Sequence, residues 1–349
     1  METIIRSINE DNFDAVIDEA SKVLKSGGLV AIPTETVYGL GGNGLDAEAA
    51  SKIYSAKGRP SDNPLIVHIA DLKSLEELAV EVPESAYKLA KAFWPGPLTM
   101  ILKKSDKVPY GTTGGLDTVA IRMPSHPVAR ELIKKSGIYI AAPSANLSGR
   151  PSPTRAEHVI EDMQGRIDMI IDGGSIDIGI ESTIIDLTAD TPMILRPGYI
   201  TENMFSEVIG QVCFDKTVIS HTVTSDKPKA PGMKYRHYAP KAELTIIEGV
   251  QEAVVTKINA LIQEYEAAGK RVGILASREY AGFYKGGEIV IIGSREKEEE
   301  IAANLFDVLR DFDKMQVDVI LSEGFSEDNF GQAIMNRLIK AAGHKIITV

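Results

Sequence analysis

The sequence predicts an α+β domain with a twisted, mixed sheet, followed by a small α/β domain. Three observations predict this division. The chain has 349 residues, and at roughly 100–200 residues per domain this length suggests two domains. Predicted strands outnumber helices over residues 1–210 and often follow one another, which favours a mixed sheet. Strands and helices alternate over residues 242–349, which is typical of a largely parallel sheet.

The elements of the first domain follow from the spacing of apolar residues and from turn signals. Helices are predicted where apolar residues recur on one face, at 11–26, 46–56, 72–79, 84–93, 154–163 and 201–209. Strands are predicted at short apolar runs, at 29–33, 65–69, 98–103, 118–123, 138–142, 168–172, 183–187 and 193–196.

Residues 211–241 join the two domains and lack a clear period. Three prolines, Pro228, Pro231 and Pro240, favour an ordered linker, although the composition also fits a flexible one. The second domain then reads as strands at 243–247, 271–276, 288–292, 317–321 and 345–349, with helices at 251–268, 296–313 and 329–342.

Composition limits the possible functions. The chain carries 38 Lys and Arg against 49 Asp and Glu, a net charge of -11, so it is a poor general binder of nucleic acid. A single cysteine, Cys213, excludes a disulfide framework and a cysteine-rich metal site. No apolar run approaches the ~18–20 residues of a membrane span. The first residues contain acids and no apolar core of a secretory signal. We therefore expect no membrane association and a cytoplasmic location.

Residues 39–44 match the pattern G-x-G-x-x-G of dinucleotide-binding loops. Such a loop should follow its strand directly, but PTETVY intervenes, and the neighbouring strands do not form a regular βαβ unit. The pattern is therefore interpreted as a tight, glycine-rich connection. A dehydrogenase that uses this match stays open as an alternative and would bind NAD.

Polar residues cluster in loops that follow apolar strands. Lys57 and Arg59 stand one residue apart at a predicted helix end and could hold a polyphosphate, or could simply suit a helix C-terminus. Arg122 lies in an otherwise apolar strand, where a buried guanidinium needs an anion. That anion could be a protein carboxylate or a substrate carboxylate. The linker segment 231–240 concentrates cations and aromatic residues, as a strap over a ligand would.

Taken together, these segments resemble the threonylcarbamoyl-AMP synthase family, of the YrdC-like fold, in its longer two-domain form. The motifs that carry the resemblance are PTETVYGL at 33–40, KGRPxxxPL at 57–65, AIRxP at 120–124, PSANxSG at 143–149, EST at 181–183, RPG at 196–198 and PGMKYRHYAP at 231–240. It implies a YrdC-like domain over 1–210, a linker or lid over 211–241, and a Rossmann-like α/β domain over 242–349.

The resemblance also implies a reaction. L-threonine, bicarbonate and ATP would give L-threonylcarbamoyladenylate and pyrophosphate, with Mg²⁺ accompanying ATP and no metal bound directly by protein side chains. Downstream threonylcarbamoyl-transferase proteins would then modify tRNA next to the anticodon, so direct tRNA binding is expected to be weak or indirect.

The site residues are carried over motif by motif. The threonine subsite would consist of Thr36, His68, Arg122, Ala142 and Ser182. The ATP subsite would consist of Lys57, Arg59, Asn63, Thr118, Ser144, Asn146, Ser152, Arg196 and Tyr235, with Lys57 and Arg59 as the catalytic cations. The alternative from another class is a double-stranded RNA-binding module without catalysis, against which the net charge of -6 over residues 1–240 argues.

Overall fold

The computed structural model describes residues 1–219, 228–231 and 237–349, and these residues form two compact units. The first comprises Met1–Ser148, Ser152–Asp177 and the chain from Glu181 to the linker. The second comprises Gly149–Pro151, Ile178–Ile180 and the C-terminal part of the chain. The domain boundaries predicted at residues 210 and 242 stay predictions.

The first unit is built on a mixed sheet with helices on its faces. Its strands are β1 (Ile4–Ser7), β2 (Val30–Ile32), β3 (Gly39–Asn43), β4 (Ile66–His68), β5 (Leu98–Lys103), β6 (Thr118–Arg122), β7 (Ile140–Ala141), β8 (Met169–Asp172), β9 (Thr183–Asp186), β10 (Met193–Arg196) and β11 (Cys213–Phe214). Its helices are α1 (Phe13–Lys25), α2 (Ala47–Lys57), α3 (Ser74–Leu78), α4 (Glu84–Phe93), α5 (Pro127–Ser136), α6 (Ala156–Met163), α7 (Glu202–Ile209) and α8 (Lys216–Ile219). The strand order is β1-β8-β2-β3-β7-β4-β6-β5-β9-β10-β11.

The second unit is a five-stranded, wholly parallel sheet. Its strands are β12 (Glu243–Glu248), β13 (Val272–Ser277), β14 (Glu288–Gly293), β15 (Val319–Glu323) and β16 (Ile346–Thr348), in the order β14-β13-β15-β12-β16. Its helices are α9 (Gln251–Ala267), α10 (Glu298–Met315) and α11 (Gly331–Ala341), and Ala281–Phe283 form one 3₁₀ turn. The predicted fold class, a mixed-sheet α+β domain followed by a parallel α/β domain, is confirmed.

Strand β3 corrects the interpretation of the glycine-rich segment. Gly39–Asn43 pair in antiparallel fashion with β2 on one side and β7 on the other. A Cβ atom on Gly41 would come within 2.8 Å of Ile140 Cγ2. The glycines therefore serve close strand packing in a central strand and form neither a connection nor a phosphate loop, which removes the basis of the dehydrogenase alternative.

Side-chain alternation along β4, β6, β5 and β9 separates a structural face from a second face. Val67, Ile121, Met100 and Ile185 pack into the core beneath α4 and α7. The residues that alternate with them point the other way, because successive strand side chains face opposite sides. This opposite side of the sheet, which carries His68, Arg122 and Thr99, is called the second face, and the polar motifs meet on it.

Candidate active site

Pairing in register aligns one residue from each of five neighbouring strands. His68 on β4 is opposite Arg122 on β6, and Arg122 is opposite Thr99 on β5. Thr99 is opposite Ile184 on β9, which in turn is opposite Arg196 on β10. Paired residues share a face of the sheet. Two arginines, a histidine and a threonine thus lie along one row of the second face.

Arg122 is the buried centre of this row, with a side chain only 5% exposed. Its Nη1 donates to Thr36 Oγ1 at 2.8 Å, and its Nη2 lies 2.8 Å from a carboxylate oxygen of Glu35. Its Nε approaches the Gly96 carbonyl at 3.4 Å. The sequence left open whether a protein or a substrate carboxylate would meet Arg122. The structure supplies a protein carboxylate, and the substrate carboxylate remains a proposal.

Glu35 was not assigned a role from the sequence, although it stands inside the PTETVYGL motif. Both of its carboxylate oxygens are buried and make no well-aligned hydrogen bond among the described residues. Burial raises the pKa of Glu35, but the Arg122 charge, its contact and the amides of Glu35 and Ser125 outweigh burial, so the pKa is lowered. A buried arginine needs an anion beside it. The sequence does not say which acid meets Arg122, because Glu35 lies 87 positions away along the chain.

His68 is held as a neutral ring. Its Nδ1 lies 3.1 Å from the Ile66 carbonyl and 3.2 Å from the Ile140 carbonyl. A carbonyl oxygen can only accept, so Nδ1 must carry the proton and Nε2 must be the acceptor. Burial, assisted by repulsion from Arg122, lowers the pKa of His68 to about 3. His68 is therefore a fixed hydrogen-bond acceptor at physiological pH.

Ser182 and Arg196 continue the polar surface beyond Thr99. The hydroxyls of Ser182 and Thr99 are 2.7 Å apart. Arg196 donates from Nη2 to Ser182 Oγ at 3.2 Å and from Nε to its carbonyl at 3.0 Å. One residue earlier, Glu181 accepts a 2.6 Å hydrogen bond from the Ser152 hydroxyl. Thr99 and Glu181 were not assigned roles from the sequence. They form hydrogen bonds with Ser182 and Ser152, which the sequence places in the site.

Lys57 ties the end of helix α2 to the PSANxSG loop. Its buried ammonium donates to the Ser144 carbonyl at 2.5 Å and to the Asn146 carbonyl at 2.6 Å. The Ser144 hydroxyl also donates to Asn146 Oδ1 at 2.5 Å. The structure thus brings Lys57 to Ser144 and Asn146, which lie 87 and 89 positions further along the chain. It shows that Lys57 shapes the loop.

Arg59 is folded back onto its own loop. Its Nη2 donates to the carbonyls of Asn63 and Pro64 at 3.2 and 3.0 Å, and the Asn63 carbonyl also accepts from the Tyr54 hydroxyl at 3.1 Å. Thr118 begins β6, at the strand end nearest this loop, because β6 runs parallel to β4. It lies two residues before Ala120 and four before Arg122 in the strand, so it shares their face.

Two further predicted site residues are constrained differently. The amide of Ala142 donates to the Ile66 carbonyl at 2.8 Å, so only its carbonyl can contact a ligand. Tyr235 lies outside the described residues. Nearby, Ala230 is fully buried against Ile66, Ala120 and Ile184. That part of the linker therefore packs on the second face.

Residues 1–219, 228–231 and 237–349 offer neither a cluster of metal ligands nor a membrane-spanning helix. Within them no three His, Cys, Asp or Glu side chains lie close enough together to hold a metal ion. No helix there has the length and apolar character needed to cross a membrane.

Known proteins are similar to this chain over nearly its whole length. A family model named for Sua5, YciO and YrdC and described as telomere recombination matches residues 22–198. A second, described as the C-terminal domain of threonylcarbamoyl-AMP synthase, matches residues 200–343. The fold and these matches define a two-domain enzyme with an activity of the nucleotidyltransferase type.

The relatives are similar over nearly their full length. The threonylcarbamoyl-AMP synthase of Pyrococcus abyssi is 52% identical, over 99% of this chain and 100% of its own. That of Bacillus subtilis is 52% identical over 96% and 95%. A crystal structure of P. abyssi Sua5 complexed with L-threonine has a TM-score of 0.93 at 50% identity and covers 100% of both chains. The chain belongs to the threonylcarbamoyl-AMP synthase family, which excludes a binding module without catalysis.

Proposed function

We propose that this enzyme makes L-threonylcarbamoyladenylate and pyrophosphate from L-threonine, bicarbonate and ATP. The observation that carries the proposal is the row on the second face, in which a buried Arg122 stands beside a neutral His68. An arginine and a neutral acceptor match the two distinctive groups of threonine, its carboxylate and its hydroxyl.

Arg122 would bind the threonine carboxylate through its guanidinium group. Thr36 and Glu35 fix the guanidinium before the substrate arrives, which lowers the entropy cost of binding. His68 Nε2 would accept a hydrogen bond from the substrate hydroxyl. Ser182 and the Ala142 carbonyl would complete this subsite.

The chemistry needs positioning and charge more than a protein nucleophile. The threonine amine adds to bicarbonate with loss of water, and an oxygen of the resulting carbamate attacks the α-phosphorus of ATP. The bond from that phosphorus to the bridging oxygen breaks, and pyrophosphate leaves. Lys57, Arg59 and Arg196 would stabilise charge on the phosphate oxygens. Asn63, Thr118, Ser144, Asn146 and Ser152 would hold the remaining nucleotide groups.

Further parts of the proposal concern ions, partners and the linker. Mg²⁺ would enter with ATP and neutralise phosphate charge. Threonylcarbamoyl-transferase proteins would pass the product to tRNA, with tRNA contact by this chain weak or indirect. We place the reaction in the cytoplasm, where ATP and tRNA are available. Tyr235 and its neighbours would form a lid that shields the adenylate from water, and the burial of Ala230 on the second face supports this.

The direct test is to incubate purified protein with L-threonine, bicarbonate and ATP and to detect the adenylate by mass spectrometry. We expect a product that needs all three substrates and one pyrophosphate per adenylate. Arg122→Met should abolish the product, whereas a surface change at Lys88 should leave it unchanged. A pyrophosphate yield that does not depend on threonine would contradict the proposal.

A further inference from the structure

The second unit includes two short pieces of chain that come well before its C-terminal part, Gly149–Pro151 and Ile178–Ile180. Each piece leads directly into a residue of the first unit, the former into Ser152 and the latter into Glu181. The Ser152 hydroxyl donates to a Glu181 carboxylate oxygen at 2.6 Å. Both partners of this hydrogen bond are therefore covalently joined to a piece of the second unit.

Helix α10 of the second unit contacts both pieces. A Cβ atom on Gly179 would come within 2.4 Å of Ala303 Cα, so the backbone of that piece lies directly on the helix. Arg310, seven residues after Ala303, donates from Nη2 to the Pro151 carbonyl at 2.6 Å. Residues seven positions apart lie on the same side of a helix, about 10 Å apart along its axis. One face of α10 therefore holds both pieces.

The same face of α10 also holds the chain that enters the C-terminal part of the unit. The Phe306 ring stacks on the Tyr238 ring, with centroids 5.0 Å apart. The Asp313 carboxylate accepts from the Lys241 amide at 2.7 Å. The residues of α10 that make these four contacts are Ala303, Phe306, Arg310 and Asp313. Their spacing of three, four and three positions defines one continuous face of the helix.

Arg310 fixes the peptide unit that carries Ser152. The residue is only 1% exposed, and a buried guanidinium is costly unless its donors find acceptors. The Pro151 carbonyl that it binds belongs to the planar peptide unit that ends at the Cα atom of Ser152. A charge-assisted hydrogen bond to this oxygen therefore restricts the direction in which the Ser152 side chain leaves the backbone.

Glu181 is restrained from the other piece. Gly179 has a φ of 80°, which favours glycine, and its approach to the Ala303 backbone leaves no room for a side chain. Ile180, which joins Gly179 to Glu181, is fully buried. Helix α10 thus restrains the chain one position from Ser152 and two positions from Glu181, at both ends of their hydrogen bond.

We propose that Arg310 is a positioning residue of the ATP subsite, which acts by holding the Pro151–Ser152 peptide. The inference rests on the proposed function, because it needs Ser152 to contact ATP. A hydroxyl that is oriented before the nucleotide arrives lowers the entropy cost of binding. The second unit then contributes to the reaction by fixing the geometry of a subsite, and Arg310 acts through Ser152.

The test measures the dissociation constant of ATP with Mg²⁺ by titration calorimetry of full-length protein, without threonine, so that the result does not depend on turnover. Arg310→Met keeps a long unbranched side chain and removes the donor. We expect it to weaken ATP binding about fivefold or more, as for loss of one hydrogen bond. Arg310→Lys keeps a charged donor and should restore part of the affinity. It also carries the test if Arg310→Met does not fold.

Phe312→Leu is the matched control for lost packing in α10. Phe312 is also fully buried, but it lies on the opposite side of the helix from Arg310's face, against Gly273 of β13. This variant should unfold at a lower urea concentration than the wild type and still bind ATP with wild-type affinity. A positioning role and a merely structural role of α10 therefore predict different results for the two variants.

A double-mutant cycle tests whether Arg310 acts through Ser152. Ser152→Ala removes the hydroxyl that Arg310 is proposed to position, so it should itself weaken ATP binding. Adding Arg310→Met to Ser152→Ala should then weaken binding no further, because the two changes affect the same contact. Independent effects would multiply instead.

Three outcomes would overturn the proposal. The first is wild-type ATP affinity in a folded Arg310 variant. The second is an equal loss of affinity in Phe312→Leu. The third is multiplication of the two effects in the cycle. Failure of the proposed function is a separate result, since it would be seen in the wild type as ATP binding without formation of the adenylate.

Discussion

The two units each bury an arginine–carboxylate pair at the end of a strand, and the pairs are built differently. Arg122 lies 2.8 Å from Glu35, and Arg295 lies 2.6 Å from Glu323. Glu323 also accepts hydrogen bonds from the Ser277 amide and hydroxyl and from the Tyr284 hydroxyl. Glu35 depends mainly on its arginine. The first pair is therefore held mainly by its opposite charges, with the Glu35 and Ser125 amides as lesser contributors, whereas the second is embedded in neutral donors.

This difference matters for what each arginine can do. When a carboxylate has few other partners, its arginine is the main charge that a ligand contacts. Removing that arginine leaves the carboxylate buried with an unpaired negative charge. A carboxylate with three neutral donors keeps its stabilisation when its arginine is engaged elsewhere. The largest effects should therefore come from breaking the first pair.

We expect Arg122→Met to lower the free energy of unfolding by about 3–5 kcal/mol, because the Glu35 charge stays buried without its partner. Arg295→Met should cost less, about 1–3 kcal/mol, since Glu323 keeps three donors. Urea denaturation of both variants measures the two losses. Adding Glu35→Gln to Arg122→Met should restore most of the stability without restoring adenylate synthesis. Equal losses for the two arginines would refute this difference between the two pairs.

Lys57 and Arg59 should affect the rate of adenylate synthesis, and Lys57→Ala should also loosen the PSANxSG loop, whose carbonyls the ammonium holds. We expect Arg59→Ala and Lys57→Ala each to lower the rate of adenylate synthesis by ~10–100-fold, from the loss of one charge-assisted contact of about 1.5–3 kcal/mol. Steady-state pyrophosphate release measures this. Lys270→Ala, an exposed cation of the second unit, is the control and should keep the wild-type rate. Wild-type turnover in both loop variants would remove them from the proposed ATP subsite.

The neutral acceptor beside Arg122 should set the choice of amino acid. L-valine lacks the hydroxyl, so it would leave His68 Nε2 buried and unpaired, at a cost of about 1–3 kcal/mol. Adenylate yields from competing threonine and valine measure the preference, with serine, which loses only a methyl contact of ~1 kcal/mol, as the control. His68→Leu should reduce the difference in adenylate yield between threonine and valine. An unchanged difference would show that another group binds the substrate hydroxyl.

Acid should destabilise the protein partly through His68. Its pKa is about 3 in the folded chain and near 6.5 in the unfolded chain. The unfolded chain therefore binds one more proton between these values, so the contribution of His68 is full above pH 6.5 and falls as the pH drops. The slope is about 1.4 kcal/mol per pH unit. Urea titrations of the wild type and His68→Gln at pH 7 and 5.5 test this, and the variant should lose less stability.

The sequence predicted the elements whose apolar spacing is regular. Helix α2 was expected at 46–56 and runs over Ala47–Lys57, with Asp46 accepting from the Glu48 amide as its cap. Helix α5 was missed, although Val128, Ala129, Leu132 and Ile133 face the core at helical spacing. Strand β3 was missed because glycine has low strand propensity, and only packing between β2 and β7 makes it a strand.

The site was predictable as a set of residue types but not as a network. The motifs identified Lys57, Ser144 and Asn146, yet only the fold shows that the ammonium binds the loop carbonyls. Strand pairing brings His68 and Arg122 together, and pairing depends on register that no local pattern fixes. The buried lone arginine did signal a carboxylate. Its identity, Glu35, required the turn after β2 to be placed in space.

The glycines of β3 have a consequence for inheritance. Gly41 has neighbours on both sides, Ile140 Cγ2 at 2.8 Å and the Val30 carbonyl at 3.1 Å from a Cβ built there. Any side chain at this position would clash with the two adjacent strands and push them apart, but it would contact none of the predicted site residues. Alleles with a substitution here should therefore encode a temperature-sensitive enzyme, with activity retained in the cold and lost on warming, whereas a change at Arg122 should abolish activity at every temperature.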